Sequence, residues 1–347
     1  MELFGRLISK FQSFKFKVSS FSVLLLCTLY IVLCTLSSCH NDKKVEQEKA
    51  VEPVYVRAPE FNADSAFAYL KTQVDFGPRT PGSKAHAKCA DYLQAKMKGF
   101  GWEVKLQTGK VKTYDNKTFD LKNIISSYKP ELTNRVLLLA HWDCRPFADE
   151  DAEGKDKPID GANDGASGVA TLMEIARQIS LSKPNFGIDI LFVDLEDYGQ
   201  QYPETDKYDE MPNSWALGTQ YWANNLQADT HKAQYGILLD MVGGINPMFP
   251  KEGSSLAFAP NIVEKVWTTA ARIGYGNYFV NDQMGQTTDD HVYINQIAKI
   301  PCVDIVHMNP STGTYPLFHH SKKDNMSIID KNTLKMVGQV VLETIYN

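Results

Sequence analysis

Val136-Leu137-Leu138-Leu139-Ala140-His141-Trp142-Asp143 decides how the rest of the chain is read. Unbroken apolar residues ending abruptly in histidine and aspartate describe a strand buried on both faces whose end meets something polar. The pattern recurs. Ile188-Asp189-Ile190-Leu191-Phe192-Val193 is followed by Asp194, Glu196 and Asp197. Tyr235-Gly236-Ile237-Leu238-Leu239 is followed by Asp240, and Ile300-Pro301-Cys302-Val303-Asp304-Ile305-Val306 reads as a fourth strand. Between these runs, helical periodicity appears over 84–97, 168–179, 261–273 and 331–345. Buried strands alternating with helices predict an α/β fold, a single domain with a mixed, mostly parallel central sheet and helices on both faces. In such sheets the site lies beyond the carboxyl ends of the strands.

Outside this pattern stands the amino terminus. Arg6, Lys10, Lys15 and Lys17 precede an apolar stretch over 21–36, and Leu36-Ser37-Ser38-Cys39 closes it. A cationic start, a short apolar run and small residues before a break describe a secretory signal. Small residues directly before a cysteine resemble the bacterial lipoprotein box, which implies cleavage before Cys39 and a lipid on its sulfur. The expected organisation is a signal peptide over 1–38, a polar tether over 39–60 and a catalytic domain over 61–347. The expected location is the bacterial cell envelope, the protein held to the membrane by Cys39 and facing the periplasm or exterior.

Of six cysteines, Cys89, Cys144 and Cys302 remain beyond this leader. An odd number without metal-ligand spacing speaks against a disulfide framework, so any metal must use histidine and carboxylate. The net charge of −5 argues against a nucleic-acid partner, which favours a basic face.

Three strands ending in carboxylates or histidine concentrate negative charge at one edge of the sheet. Taken singly, each aspartate fits helix capping. Together they are costly unless a cation binds, and histidine with carboxylate oxygens is a zinc ligand set. Gly161-Ala162-Asn163-Asp164-Gly165 precedes the helix at 168 and offers another carboxylate between glycines.

In order, His141-Trp142-Asp143, Gly161-Ala162-Asn163-Asp164, Glu196-Asp197, Asp240 and a late histidine resemble the zinc aminopeptidase superfamily. Thr288-Asp289-Asp290-His291, Phe318-His319-His320, Asp324-Asn325 and the early Arg79-x-Pro81-Gly82-Ser83 resemble its glutaminyl cyclase branch, the zinc type of animals and some bacteria. The resemblance covers roughly 76–325 and implies a zinc exopeptidase-like fold. It implies one zinc ion held by Asp164, Asp197 and His320. Glu196 would be the general base and acid, with Asp240 and Asp289 as a supporting acidic network. The family pair is often Glu-Glu, and Asp197 is one methylene shorter. His320 is chosen over His319 by its distance from Asn325.

That resemblance implies a glutaminyl-peptide cyclotransferase acting on peptides or proteins with N-terminal glutamine. The alternative of the same fold is an aminopeptidase with two zinc ions on His141, Asp164, Asp197, Asp240 and His320. A shared proton between Asp289 and Asp240 would withhold Asp240 from a second ion. From another class comes a surface lipoprotein that binds peptide or glycan without catalysis, but such a site has no need of Glu196. Trp142, Trp215 and Trp222 are expected in the core, with Trp215 also a candidate for the pocket wall. His86 and His231 are expected at the surface, and His307 as a satisfied polar residue.

Overall fold

The computed structural model describes residues 55–201, 210–226 and 232–347. The predicted signal peptide, most of the tether, Cys39 and His231 lie outside the described residues. Tyr55–Asn347 forms one compact unit. Among the described residues no helix is long and apolar enough to cross a membrane.

Six strands form the central sheet. They are β1 (Glu103–Lys112), β2 (Thr118–Tyr128), β3 (Arg135–His141), β4 (Gly187–Val193), β5 (Gly236–Asp240) and β8 (Cys302–Val306), in the order β1-β2-β4-β3-β5-β8. Neighbours among β4, β3, β5 and β8 run parallel, whereas β2 runs antiparallel to both β1 and β4. The short strands β6 (Phe249–Lys251) and β7 (Phe279–Gln283) pair separately. The sheet is mixed and mostly parallel, as the buried runs predicted.

Side chains alternate across a strand, and β3 shows why its run is continuously apolar. Val136, Leu138 and Ala140 enter one core, while Leu137 and Leu139 enter another on the opposite face. The first core receives α1 (Ala63–Asp75), α2 (Lys84–Gly99), α3 (Ala166–Ser182), α6 (Pro260–Arg272) and α8 (Lys331–Tyr346). The second receives Trp222 and Ala223 of α4 (Leu217–Asn224), with Ile294 and Ala298 from the π-helical turn Ile294–Ala298. That turn continues the short α7 (Asp290–Tyr293), and α5 (Gly253–Phe258) sits before α6.

The four helices read from periodicity are present, each shifted by at most a few residues at its ends. Cys89, Cys144 and Cys302 are free and buried. Residues 55–60, the end of the predicted tether, run beside α8. The N–H of Val56 donates to Asn347 Oδ1, that of Phe61 donates to Gln339 Oε1, and the Phe61 ring is buried.

Candidate active site

The carboxyl ends of β3, β4 and β5 meet at a cavity of about 390 Å³. Its lining includes Asp164, Glu196, Trp215, Asp240, Asp289 and His320. The carboxylates and the late histidine expected from sequence converge there, except Asp197, which lies directly behind the wall against His320.

Each site loop is held by a carboxylate that binds backbone. Asp143, just past β3, accepts the N–H of Glu196 on one oxygen and that of Asp197 on the other, both at 3.2 Å. Asp324 does the same for the loop before α3, accepting from Asn163 at 2.7 Å and from Asp164 at 3.0 Å. The buried Arg79 guanidinium donates to the carbonyls of Trp142, Asp160 and Gly161, tying that loop to the end of β3. Gly165 must lack a side chain, because a Cβ there would collide with the His141 carbonyl and ring. Leu195, Met241 and His320 have φ of +55°, +51° and +47°. Left-handed backbone at residues with a side chain costs about 1–3 kcal/mol and gathers at functional sites. Here it aims Glu196, Asp240 and the His320 ring into one space.

His320 Nε2 lies 3.0 Å from Asp197 Oδ1 and 3.7 Å from Asp164 Oδ2. Both Asp197 oxygens are nonetheless buried without a hydrogen-bond partner. An imidazole nitrogen and a carboxylate this close without a hydrogen bond share a point in space rather than a proton. Burial, then the Asp164 charge, pushes the Asp197 carboxyl well above the usual carboxylate range. Burial and the nearby Arg145 guanidinium lower His320 to about 4, leaving a neutral imidazole able to donate a lone pair. Two carboxylates and a neutral imidazole fit a divalent cation. His319 Nδ1 or Nε2 also comes within 4.8 Å of Asp164 and His320 ligand atoms, so the two adjacent histidines are both within reach. The rings of Trp215 and His320 stack at 5.8 Å, and Arg145 lies 4.7 Å over Trp215.

His141 Nε2 stands 2.9 Å from Asp164 Oδ1 and 3.3 Å from Asp240 Oδ1. Burial opposes its charge, but the surrounding carboxylates of Asp143, Asp164 and Asp240 win and raise its pKa well above the ordinary value. His141, Asp164 and Asp240 each bring a ligand atom within 4.8 Å of one another, the donors that a second ion would take in the aminopeptidase arrangement. Asp240 itself rises to about 7, first by burial, with Asp164 and Asp289 adding to it and the His141 hydrogen bond opposing. Asp289 Oδ1 accepts the N–H of Asp290, and the Asp289 and Asp304 carboxylates come within 4.8 Å of each other beside His291. Glu196 is raised well above the usual range by burial, then by Asp289 and Asp197, with His141 opposing.

Residues 123–345 match Peptidase family M28. The chain belongs to peptidase family M28. Bacteroides thetaiotaomicron glutaminyl cyclase, crystallised with N-acetylhistamine, is 50% identical, with 84% of this chain and 99% of that one covered and a TM-score of 0.80. A Zn-dependent exopeptidase from Parabacteroides distasonis is also 50% identical, covering 84% of this chain and 100% of its own at a TM-score of 0.80. Glutaminyl-peptide cyclotransferase of Boiga dendrophila is 23% identical over 292 residues, 76% of this chain and 75% of that protein. The mixed sheet and its helices are therefore the zinc exopeptidase-like fold of this M28 chain.

Several expectations change. His86 is buried rather than exposed: Nε2 lies 2.8 Å from Asp194 Oδ1 and the ring stacks on Trp142 at 4.2 Å. The helix carrying it, α2, packs on β1 and β2, and His86 reaches from it to Asp194, just past β4. His307 is buried with Nδ1 unpartnered, so only half of its polarity is satisfied. His291 is buried as well, with its Nε2 2.9 Å from Glu252 Oε2. Trp142 and Trp222 are core, whereas Trp215 lines the cavity. Sequence reading assigned Asp143, Asp324 and Arg79 no task, and it missed Asp304 and Tyr315. The first three were visible as motif landmarks, but a backbone-holding role has no pattern of its own.

Proposed function

We propose that this M28 chain is a glutaminyl-peptide cyclotransferase with one zinc ion, converting N-terminal glutamine to pyroglutamate with release of ammonia. The observation that carries the reading is Glu196 in the cavity beside the Asp164, Asp197 and His320 donor set, in a chain 50% identical to a bacterial glutaminyl cyclase. Asp164, Asp197 and His320 would hold the ion, which when bound supplies a Lewis acid for the side-chain amide carbonyl.

The chemistry left to the protein is proton transfer and placement. The α-nitrogen forms a bond to the side-chain amide carbon, and the bond from that carbon to the amide nitrogen breaks. Glu196 takes the proton that the attacking amine sheds and returns it to the departing nitrogen, which leaves as ammonia. Its raised pKa suits a group that must both accept and donate near neutrality. Asp240 and Asp289 line the same space and attract the terminal amine. The cavity accommodates one terminal residue, and holding both ends of that residue removes most of the entropic cost of ring closure. Further residues of a peptide run into the adjoining 720 Å³ cavity, which shares Glu150, Tyr315 and His319 with the first.

Because His141, Asp164 and Asp240 also bring ligand atoms within 4.8 Å of one another, the ion count is tested directly by elemental analysis. The test is incubation of the purified, zinc-analysed protein with a Gln-peptide and an unblocked Leu-peptide, products identified by mass. Loss of ammonia from the Gln-peptide alone is expected. Release of free leucine with two zinc ions per chain and no cyclisation would establish the aminopeptidase instead. The motif around Cys39 supports a lipid-anchored protein of the bacterial cell envelope, acting on peptides outside the cytoplasm.

A further inference from the structure

The loop after β3 carries three acidic residues in a row, Asp149-Glu150-Asp151. Two of the three are spent on structure. The Asp149 carboxylate is held by the Arg145 guanidinium through Nε and Nη2. Asp151 Oδ2 accepts the N–H of Lys322 at 3.1 Å, with the Lys322 ammonium 4.0 Å away. Glu150 is placed differently. Its N–H donates to the His320 carbonyl at 3.2 Å, which ties the backbone of this loop to the backbone of the donor set. Its side chain is exposed and meets the Gln201 amide, Nε2 donating to Oε1 at 3.5 Å. Among the described residues no lysine or arginine pairs with that carboxylate.

Glu150 lines the catalytic cavity and the adjoining 720 Å³ cavity alike, together with Tyr315 and His319. Residues common to two adjoining cavities form the neck between them. Tyr315 and His319 give the neck its ring faces, packed on each other at 4.5 Å. Glu150 gives it a carboxylate on a flexible side chain. Lys323 lines the outer cavity alone and so lies beyond the neck. The inner cavity is lined by Asp164, Glu196, Asp240 and Asp289 and by no lysine or arginine. With one terminal residue in the inner cavity, the next residue of the chain stands at the neck, beside Glu150.

We propose that Glu150 is a specificity-determining residue that selects the second residue of the substrate, favouring N-terminal Gln peptides with lysine or arginine at position two over those with aspartate or glutamate. The assignment rests on the cyclotransferase reading, because the terminal glutamine is what fills the inner cavity. A cationic side chain at the neck meets a carboxylate that has no cation of its own. An anionic one meets a like charge and, behind it, the acidic lining of the inner cavity. The neck is open to water, so the discrimination is modest, about three- to tenfold. It falls on KM, because the charge lies one residue away from the bond being made and acts on association.

The test uses the zinc-loaded enzyme and three peptides that begin Gln-Lys, Gln-Ala and Gln-Glu and are otherwise identical. At low ionic strength wild type should give a kcat/KM about three- to tenfold higher for Gln-Lys than for Gln-Glu, with the difference in KM. High salt should shrink that ratio. Glu150→Gln should shrink it at low salt, and Glu150→Lys should invert it. Each variant supplies its own ratio, so a smaller fraction of folded or zinc-loaded protein leaves the result readable. Equal kcat/KM for the three peptides in wild type overturns the proposal, and so does a Gln-Lys preference that survives in both variants; in either case the cyclotransferase reading stands. Calorimetric binding of the same peptides to Glu196→Gln separates the two claims. If wild type cyclises none of them, yet Glu196→Gln binds the Gln-Lys peptide more tightly and adding Glu150→Gln removes the difference, selection at the neck stands and the cyclotransferase reading fails. No preference in turnover or in binding overturns the proposal.

Discussion

At the scale of single residues, the proposed reaction asks Glu196 to carry a proton and asks Asp197 and His320 to share an ion. These demands separate by mutation. Glu196→Gln keeps the size and hydrogen-bonding atoms of the side chain but accepts no proton near neutral pH. It should bind zinc as wild type does while turnover falls about 10²–10⁴-fold, the range for loss of general acid–base catalysis. Zinc content by elemental analysis beside single-turnover cyclisation checks both halves. The adjacent histidines make a second test. His320 Nε2 faces both Asp197 and Asp164, whereas His319 stacks between His320 and Tyr315 at 3.6 and 4.5 Å. His320→Ala should lose most zinc and most activity, and His319→Ala should keep its zinc. A metal-free His319→Ala beside a loaded His320→Ala would reverse the assignment. Most of these residues were legible beforehand, because each stands directly after a buried run or inside a motif whose order is specific. Asp304 was not legible. It lies inside the fourth apolar run, where an aspartate looks like an interruption of the strand, yet its side chain is buried beside Asp289 and His291.

At the scale of elements, precision comes from carboxylates that bind backbone. Asp143 holds the loop after β4, and Asp324 holds the loop before α3 with one oxygen on each of two consecutive N–H groups. Asp324→Asn turns one acceptor into a donor aimed at an N–H. One hydrogen bond is lost and one buried group goes unpaired, at a cost of about 1–3 kcal/mol. The Asp164 carboxylate should then lose its fixed position, so that zinc affinity and thermal stability fall together, measured by competition with a chelator and by the unfolding midpoint. A normal zinc affinity in a destabilised Asp324→Asn would mean that the loop is held by Arg79 alone. The parallel strands and four long helices were readable from periodicity because two cores clamp β3 and its neighbours on both faces. The antiparallel β1 and β2 were not. β1 is the edge strand, half-exposed along Glu103-Val104-Lys105-Leu106, and its polar residues look like loop until a partner strand is seen.

At the scale of the molecule, the catalytic unit and its proposed anchor are separable, and the boundary between them is set by packing rather than by composition. Composition puts the end of the tether at residue 60. The structure has the Val56 N–H on Asn347 and the Gln339 side-chain amide on the Pro59 carbonyl. Phe61 fills a space opened by Gly338, where a Cβ would collide with its ring. A buried phenylalanine of this kind is worth about 3–5 kcal/mol against truncation. Two chains therefore distinguish anchor from fold. One that begins at Tyr55 lacks Cys39 and should be found in the soluble fraction, with full Gln-peptide turnover and a wild-type unfolding midpoint. One that begins at Ala63 keeps every residue of the cavity, yet loses Phe61 and its bonds to α8. Since α8 also packs against α3, which follows directly from the Asp164 loop, the shorter chain should unfold several degrees lower and lose zinc more readily. Equal midpoints for the two chains would place the start of the folded unit at α1. A Tyr55 chain that remained with the membrane would place the anchor somewhere other than Cys39.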